Sequence, residues 1–102
     1  MKKMVICMAA LACICVAGIA AAKEEKGKAL FKQHCAVCHP DGGNIINQKK
    51  SLHRGQNSNI KAAKDIIRAM RKPGPGMTKF DEKAIPETDA KLIADYIMKE
   101  YK

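Results

Sequence analysis

The chain has 102 residues, a formal net charge of +9, five cysteines, two Phe, two Tyr and no Trp. That length admits one small domain at most, and so few aromatic residues make a protein-only core too thin for a stable fold unless something else staples it. The basic residues are scattered rather than gathered in one stripe, which argues against a nucleic-acid module.

Lys2 and Lys3 precede an unbroken apolar and small-residue run from Met4 to Ala22, the pattern of an export signal. Ala20-Ala21-Ala22 supplies a small-x-small processing site, so residues 1–22 are expected to be removed and residues 23–102 to form the mature, periplasmic domain. Without Lys2 and Lys3 that domain carries 17 Lys and Arg against 10 Asp and Glu, a net of +7. Cys7, Cys13 and Cys15 lie in the leader, where cysteine behaves as a small hydrophobe. Ala10-Leu11-Ala12-Cys13 loosely resembles a lipoprotein box, and a run of about 20 apolar residues is long enough for a bilayer span. Lipidation at Cys13 and an uncleaved anchor are therefore the alternatives to soluble export. Against lipidation, the residues after Cys13 are apolar where a polar tether is usual.

Glu24 to His34 reads as the first helix, with acids early and Lys32 late, as the helix dipole favours. Gly27 and Phe31 are four apart and share a face, where a missing side chain beside an aromatic permits close helix contact. Cys35-Ala36-Val37-Cys38-His39 follows, a C-x-x-C-H pentad of the kind to which a c-type haem is attached. The spacing lets both sulfurs reach the vinyl groups on one edge of a porphyrin and places His39 under the iron as proximal ligand. A thioredoxin-like redox pair would need a β-α-β pattern around it, and no alternating β-branched runs flank this one. A zinc site would need a second Cys or His pair downstream, where His53 is the only candidate.

Pro40-Asp41-Gly42-Gly43-Asn44 is dense turn chemistry that no regular element should cross. Ile45, Ile46 and Leu52 are apolar anchors, and Lys49 to Arg54 is read as a short helical turn. From Asn59 to Arg71 the residues Ile60, Ala63, Ile66, Ile67 and Met70 recur at three and four, predicting an amphipathic helix capped by Asn57 or Ser58. Pro73-Gly74-Pro75-Gly76 ends it. Glu87 to Tyr101 is the last helix, with Pro86 suited to its first turn and Ala90, Ile93, Ala94, Ile97 and Tyr101 forming the buried stripe.

The distal face of the iron has five candidate ligands: Met70, Met77, Met98, His34 and His53. Met70 belongs to a helical stripe and Met98 lies beside one, where methionine is usually core. Met77 sits in an irregular loop with no periodicity to bury it, and a rigid, side-chain-poor loop brings its backbone close to a flat ring. Phe80 would pack nearby. His53, between Leu52 and Arg54, is the second candidate, and His34 adjoins Cys35 too closely to reach across the ring.

Gly27-x-x-x-Phe31, the haem pentad, the methionine loop Met77-Thr78-Lys79-Phe80 and the final Ile93-Ala94-Asp95-Tyr96-Ile97 together resemble a class I monohaem cytochrome c. Gly42-Gly43-Asn44 followed by Lys50-Ser51-Leu52 is similar to the small cytochrome c-six and c-553 group, and the likeness extends to monohaem cytochromes of metal-respiring bacteria. The chain differs in having Thr78 after the methionine and Pro86 opening the last helix. The resemblance implies an all-α fold of three main helices and loops around one covalent haem c. The first and last helices would cross through Gly27, Phe31 and Tyr96, with His39 and Met77 as axial ligands.

The expected function is a monomeric periplasmic one-electron carrier, not an enzyme, serving respiratory-chain partners. Lys28, Lys32, Lys49, Lys50, Lys79 and Lys83 would steer acidic partner surfaces to the haem edge. The competing reading is a haem peroxidase or gas-binding module with a labile sixth ligand, for which His53 and Arg54 are the available distal groups.

Overall fold

The computed structural model describes the backbone of residues 2–102 and side chains from Gly18 onward. Among the described residues there are three helices, α1 (Lys2–His34), α2 (Ala63–Arg71) and α3 (Glu87–Glu100), two single 3₁₀ turns at Pro40–Gly42 and Gln48–Lys50, and no strand. The all-α architecture is the one the periodicities predict.

α1 begins well before Glu24, because no Pro or turn residue separates the apolar leader from the acidic start of the predicted helix. Residues 18–26 are exposed and burial begins at Gly27. The expectations for Cys7, Cys13 and Cys15 lie outside the described side chains. Among the described residues, no helix is long and apolar enough to cross a membrane.

The close contact that organises the domain is at Gly27. A Cβ there would lie 2.6 Å from the Leu92 carbonyl oxygen and 3.2 Å from Tyr96 Cβ, so α1 and α3 pack backbone against backbone. One turn later Phe31, 3% exposed, packs against Tyr96 and Tyr101 at ring-centroid distances of 5.4 and 5.5 Å, tilted as aromatic quadrupoles prefer. Ala90, Ile93, Ala94 and Ile97 make the buried face of α3, with Ile66 and Met70 of α2 in the same core. Two exposed pairs, Lys26 with Asp89 and Lys99 with Glu24, also join α1 to α3, but solvated pairs contribute little.

Three further element boundaries differ from the sequence reading. α2 starts at Ala63, not Asn59: the Asp65 carboxylate accepts from the backbone N–H of Lys61 and Ala62, both at 2.9 Å, and so opens the helix there. Those two bonds, the Lys61 one foremost, also hold the Asp65 carboxyl below its ordinary range. Asn57 caps no helix, since its side chain donates to the Ser51 carbonyl at 3.0 Å and accepts from the Asn59 N–H at 3.0 Å. The turn expected over Lys49–Arg54 is a 3₁₀ turn at Gln48–Lys50, capped by the Asn47 side chain. α3 stops at Glu100, with Pro86 outside its first turn as the N-cap and Tyr101 at the C-cap.

Tyr101 then closes the domain. Its ring lies where a Gly42 Cβ would be, at 2.5 Å, and Gly42 has φ 79°, so both space and backbone demand glycine. Replacing Gly27 with Ala should force α1 and α3 apart and cost about 1 to 3 kcal/mol of stability. The denaturation midpoint of the haem-loaded protein checks this.

Candidate functional site

α1 ends at His34, and the pentad continues from it as turns: the N–H groups of Cys35 and Ala36 donate to the Phe31 carbonyl, and those of Cys38 and His39 to the Cys35 carbonyl. Because Phe31 is locked in the α1–α3 crossing, the motif inherits a fixed position. Cys35 is 9% exposed and His39 is 7% exposed, and Cys35 and Cys38 are not joined in a disulfide. Burial pushes the Cys35 thiol up to about 11, which keeps it neutral and makes it a poor thiolate for disulfide exchange. Among the described residues, no group of three or more His, Cys, Asp or Glu could hold a metal ion, so the zinc reading has no ligand set.

His39 Nδ1 lies 2.7 Å from the Gly43 carbonyl oxygen. A carbonyl only accepts, so Nδ1 carries the proton and Nε2 keeps its lone pair for a metal. The carbonyl is itself held by a knitted loop. The Gly43 N–H donates to Pro40, the Leu52 N–H and Ser51 Oγ both donate to the Gly42 carbonyl, and Ile45 N–H donates to Cys38. Ser51 is 1% exposed. A serine among lysines gave little sign of being buried; its place between Gly42 and the His53 N–H is what buries it.

His39 borders a cleft of about 550 Å³, within the usual size range of about 300 to 1,000 Å³ for cofactor sites. The pentad contributes Cys35, Cys38 and His39. Leu52, Ile60, Ile66, Met70 and Ile97 supply aliphatic wall, and the loop Gly74-Pro75-Gly76-Met77 completes it. Asn44, Asn47, Asn57, Asn59 and Lys50 are the polar lining. The Lys50 ammonium lies over Gly74, where a Cβ would be 2.5 Å from Nζ. Apolar walls, a thiol pair beside a metal-ready imidazole, and a few amides with one cation fit a flat apolar macrocycle that carries carboxylates.

The structure therefore brings four predicted residues, Cys35, Cys38, His39 and Met77, to one cavity, and Met70 also reaches it while being 3% exposed in the core. His53 and Arg54 are engaged elsewhere. His53 Nε2 bonds the Asp41 carbonyl at 2.8 Å and its ring meets Tyr101 at 5.0 Å, while Arg54 donates to the Met98 carbonyl at 2.9 Å. His34 packs on Phe80 at 5.9 Å. None of the three borders the cleft.

Residues 22–97 match the family described as cytochrome C oxidase, cbb3-type, subunit III. The chain belongs to the cytochrome c family. The structure of OmcF, outer membrane cytochrome F of Geobacter sulfurreducens, is similar with 40% identity and a TM-score of 0.70, over 74% of this chain and 99% of that one. Cytochrome c6B of Synechococcus sp. WH8102 gives 31% identity and 0.65, over 74% of this chain and 88% of that one. Cytochrome c6 of Aphanizomenon flos-aquae is 46% identical over 43 residues, 40% of this chain and 49% of that protein. The match thus spans about half the length of that relative.

Membership makes this cytochrome an electron-transfer protein, not an enzyme, with one covalently bound haem c and redox partner proteins. The all-α small cytochrome c fold expected from the resemblance is likewise the one observed. Since the small core opens onto the cleft, replacing both Cys35 and Cys38 with Ala should leave a largely unfolded, haem-free chain. Circular dichroism showing native helix content in that variant would contradict this.

Proposed function

We propose that this cytochrome is an exported one-electron carrier whose haem is held by thioethers from Cys35 and Cys38 and by axial bonds from His39 and Met77. The observation that carries the reading is the convergence on one cleft of a buried imidazole, proton-directed by Gly43, and a loop methionine that no helix claims. The haem supplies a reversible ferrous–ferric couple. Around it the chain excludes water and holds both ligands through the change of charge. Thioether ligation favours ferrous iron and raises the potential relative to two histidines.

Export is supported by the basic and apolar leader ending in Ala20-Ala21-Ala22 and by the start of the family match at residue 22. OmcF carries "outer membrane" in its own description, and its likeness takes in nearly all of that chain but 74% of this one, in keeping with an extra leader here. The periplasm is the compartment proposed, as a soluble monomer serving a respiratory chain. Intact-mass measurement of protein from the native envelope should give a chain beginning at Lys23 plus one haem; a diacylglycerol adduct on Cys13 would overturn this.

Lys28, Lys32, Lys49, Lys50, Lys79 and Lys83 are all exposed, and Lys50 borders the cleft itself. The proposed partners therefore present acidic surfaces, and their association should slow as salt screens the attraction. The peroxidase alternative has lost its distal groups, since His53 and Arg54 are spent on backbone carbonyls away from the cleft.

The axial assignment is tested at the loop. Met77→Ala should retain covalent haem, lose the weak long-wavelength sulfur-to-iron band of the ferric protein, lower the reduction potential and admit exogenous ligands. Survival of the band in that variant, with its loss in Met70→Ala or Met98→Ala, would move the ligand elsewhere.

A further inference from the structure

The loop that carries Met77 has almost no internal support. Between Pro73 and Lys79, the one hydrogen bond recorded among the described residues is Met77 N–H to the Gly74 carbonyl, long at 3.4 Å. Two prolines stiffen the segment locally, but Gly76 at φ 88° sits immediately before the methionine and gives the backbone a pivot. Where such a loop puts its sulfur is decided by what fastens its ends.

The entry is fixed by α2, whose last turn holds the Lys72 N–H on the Arg68 carbonyl at 2.8 Å. The exit is fixed by Phe80, whose N–H donates to the Met70 carbonyl at 2.9 Å. One side chain then reaches across from α2. Arg71 Nη1 donates to the Phe80 carbonyl at 3.1 Å and the Ile85 carbonyl at 2.8 Å, and Nη2 meets Glu87 Oε2 at 3.4 Å. The Arg71 side chain is 20% exposed, and its planar guanidinium fork suits two carbonyls and a carboxylate at once. It thereby joins the end of α2, the return of the methionine loop and the start of α3.

We propose that Arg71 is a positioning residue for the sixth iron ligand, holding the exit of the loop closed so that Met77 stays on the iron. This rests on Met77 being that ligand. Arg71 touches neither haem nor methionine; it acts through Phe80. Its effect is therefore on how often the thioether leaves, a property of the native state distinct from global unfolding.

The test uses the haem-loaded protein and imidazole as the entering ligand, with Arg71→Gln and Arg71→Lys compared with the unmutated chain. Ala29→Gly, at an exposed position inside α1, serves as a variant destabilised through helix propensity at a site remote from the loop. Two lost hydrogen bonds at the loop exit predict at least about a tenfold faster approach of imidazole to ferric iron in Arg71→Gln. Arg71→Lys keeps the charge near Glu87 but cannot reproduce the fork, so it should fall between. The sulfur-to-iron band should persist in both but weaken at lower temperature than in the unmutated protein, and Ala29→Gly should exchange at the unmutated rate. If the unmutated protein shows no sulfur-to-iron band, the Met77 reading fails and this proposal with it. If the band is present and both Arg71 variants take up imidazole at the unmutated rate, or if Ala29→Gly accelerates exchange as much as they do, Arg71 has no positioning role.

Discussion

The absence of a side chain at Gly27 is the constraint on which the rest of the domain depends. With the Leu92 carbonyl lying where a Cβ would be, α1 and α3 come as close as backbones can. Phe31, one turn on, is then driven between Tyr96 and Tyr101. Phe31 is also the residue whose carbonyl receives the first N–H groups of the pentad. A packing fact at one helix crossing is thus passed through a single carbonyl to the two thiols and the imidazole. The same cluster extends through Tyr101 to Gly42, whose carbonyl anchors Ser51 and Leu52, so the loop that holds His39 is tied to the same crossing.

What that framework encloses is a small core that opens onto a cleft. The buried aliphatic residues number few, and several of them, Ile66, Met70 and Ile97 among them, face the cavity as well as one another. A domain of this size buries too small a fraction of its surface to be comfortably stable alone, and the covalent haem c of the family supplies both the missing apolar contact and a cross-link between motif and ring. Folding and cofactor attachment are therefore one problem for this chain.

The helices and the four cleft residues were legible because each has a local signature: 3.6-residue periodicity, a five-residue motif, a Pro-Gly loop. What was not legible depends on long-range partners. The predicted start of α2 at Asn59 followed the apolar pattern through Ile60, but Asp65 draws the helix start to Ala63, and Asn57 is worth more to the loop as a bridge to Ser51 than as a cap. Nothing in the sequence marks the hydrogen-bond partners of Ser51, Arg54 and Arg71. Each is an ordinary polar residue in sequence, and each acquires its role only when a carbonyl from Gly42, Met98 or Phe80 arrives beside it. Tyr101 packs against the final stripe but is only half-buried, and it lies beyond the helix end, where desolvation, and then its neighbour Tyr96, raise its phenol's pKa.

The two sides of the proposed iron site are built to different standards of rigidity. On the histidine side, Nδ1 is held by Gly43 at 2.7 Å, and four further hydrogen bonds brace the surrounding turn. On the methionine side, a loop with one long internal bond depends on anchors at its two ends. The asymmetry suits a carrier. On the proposed ligation, a fixed imidazole and covalent thioethers would keep the haem in place through every cycle, while a weaker neutral sulfur would tune the potential and stay bound only as long as its loop is held shut. In such a design, small changes at the loop anchors alter ligand lability without disturbing the fold, so a chain with this framework crosses from electron transfer towards ligand binding at the loop and not at the core.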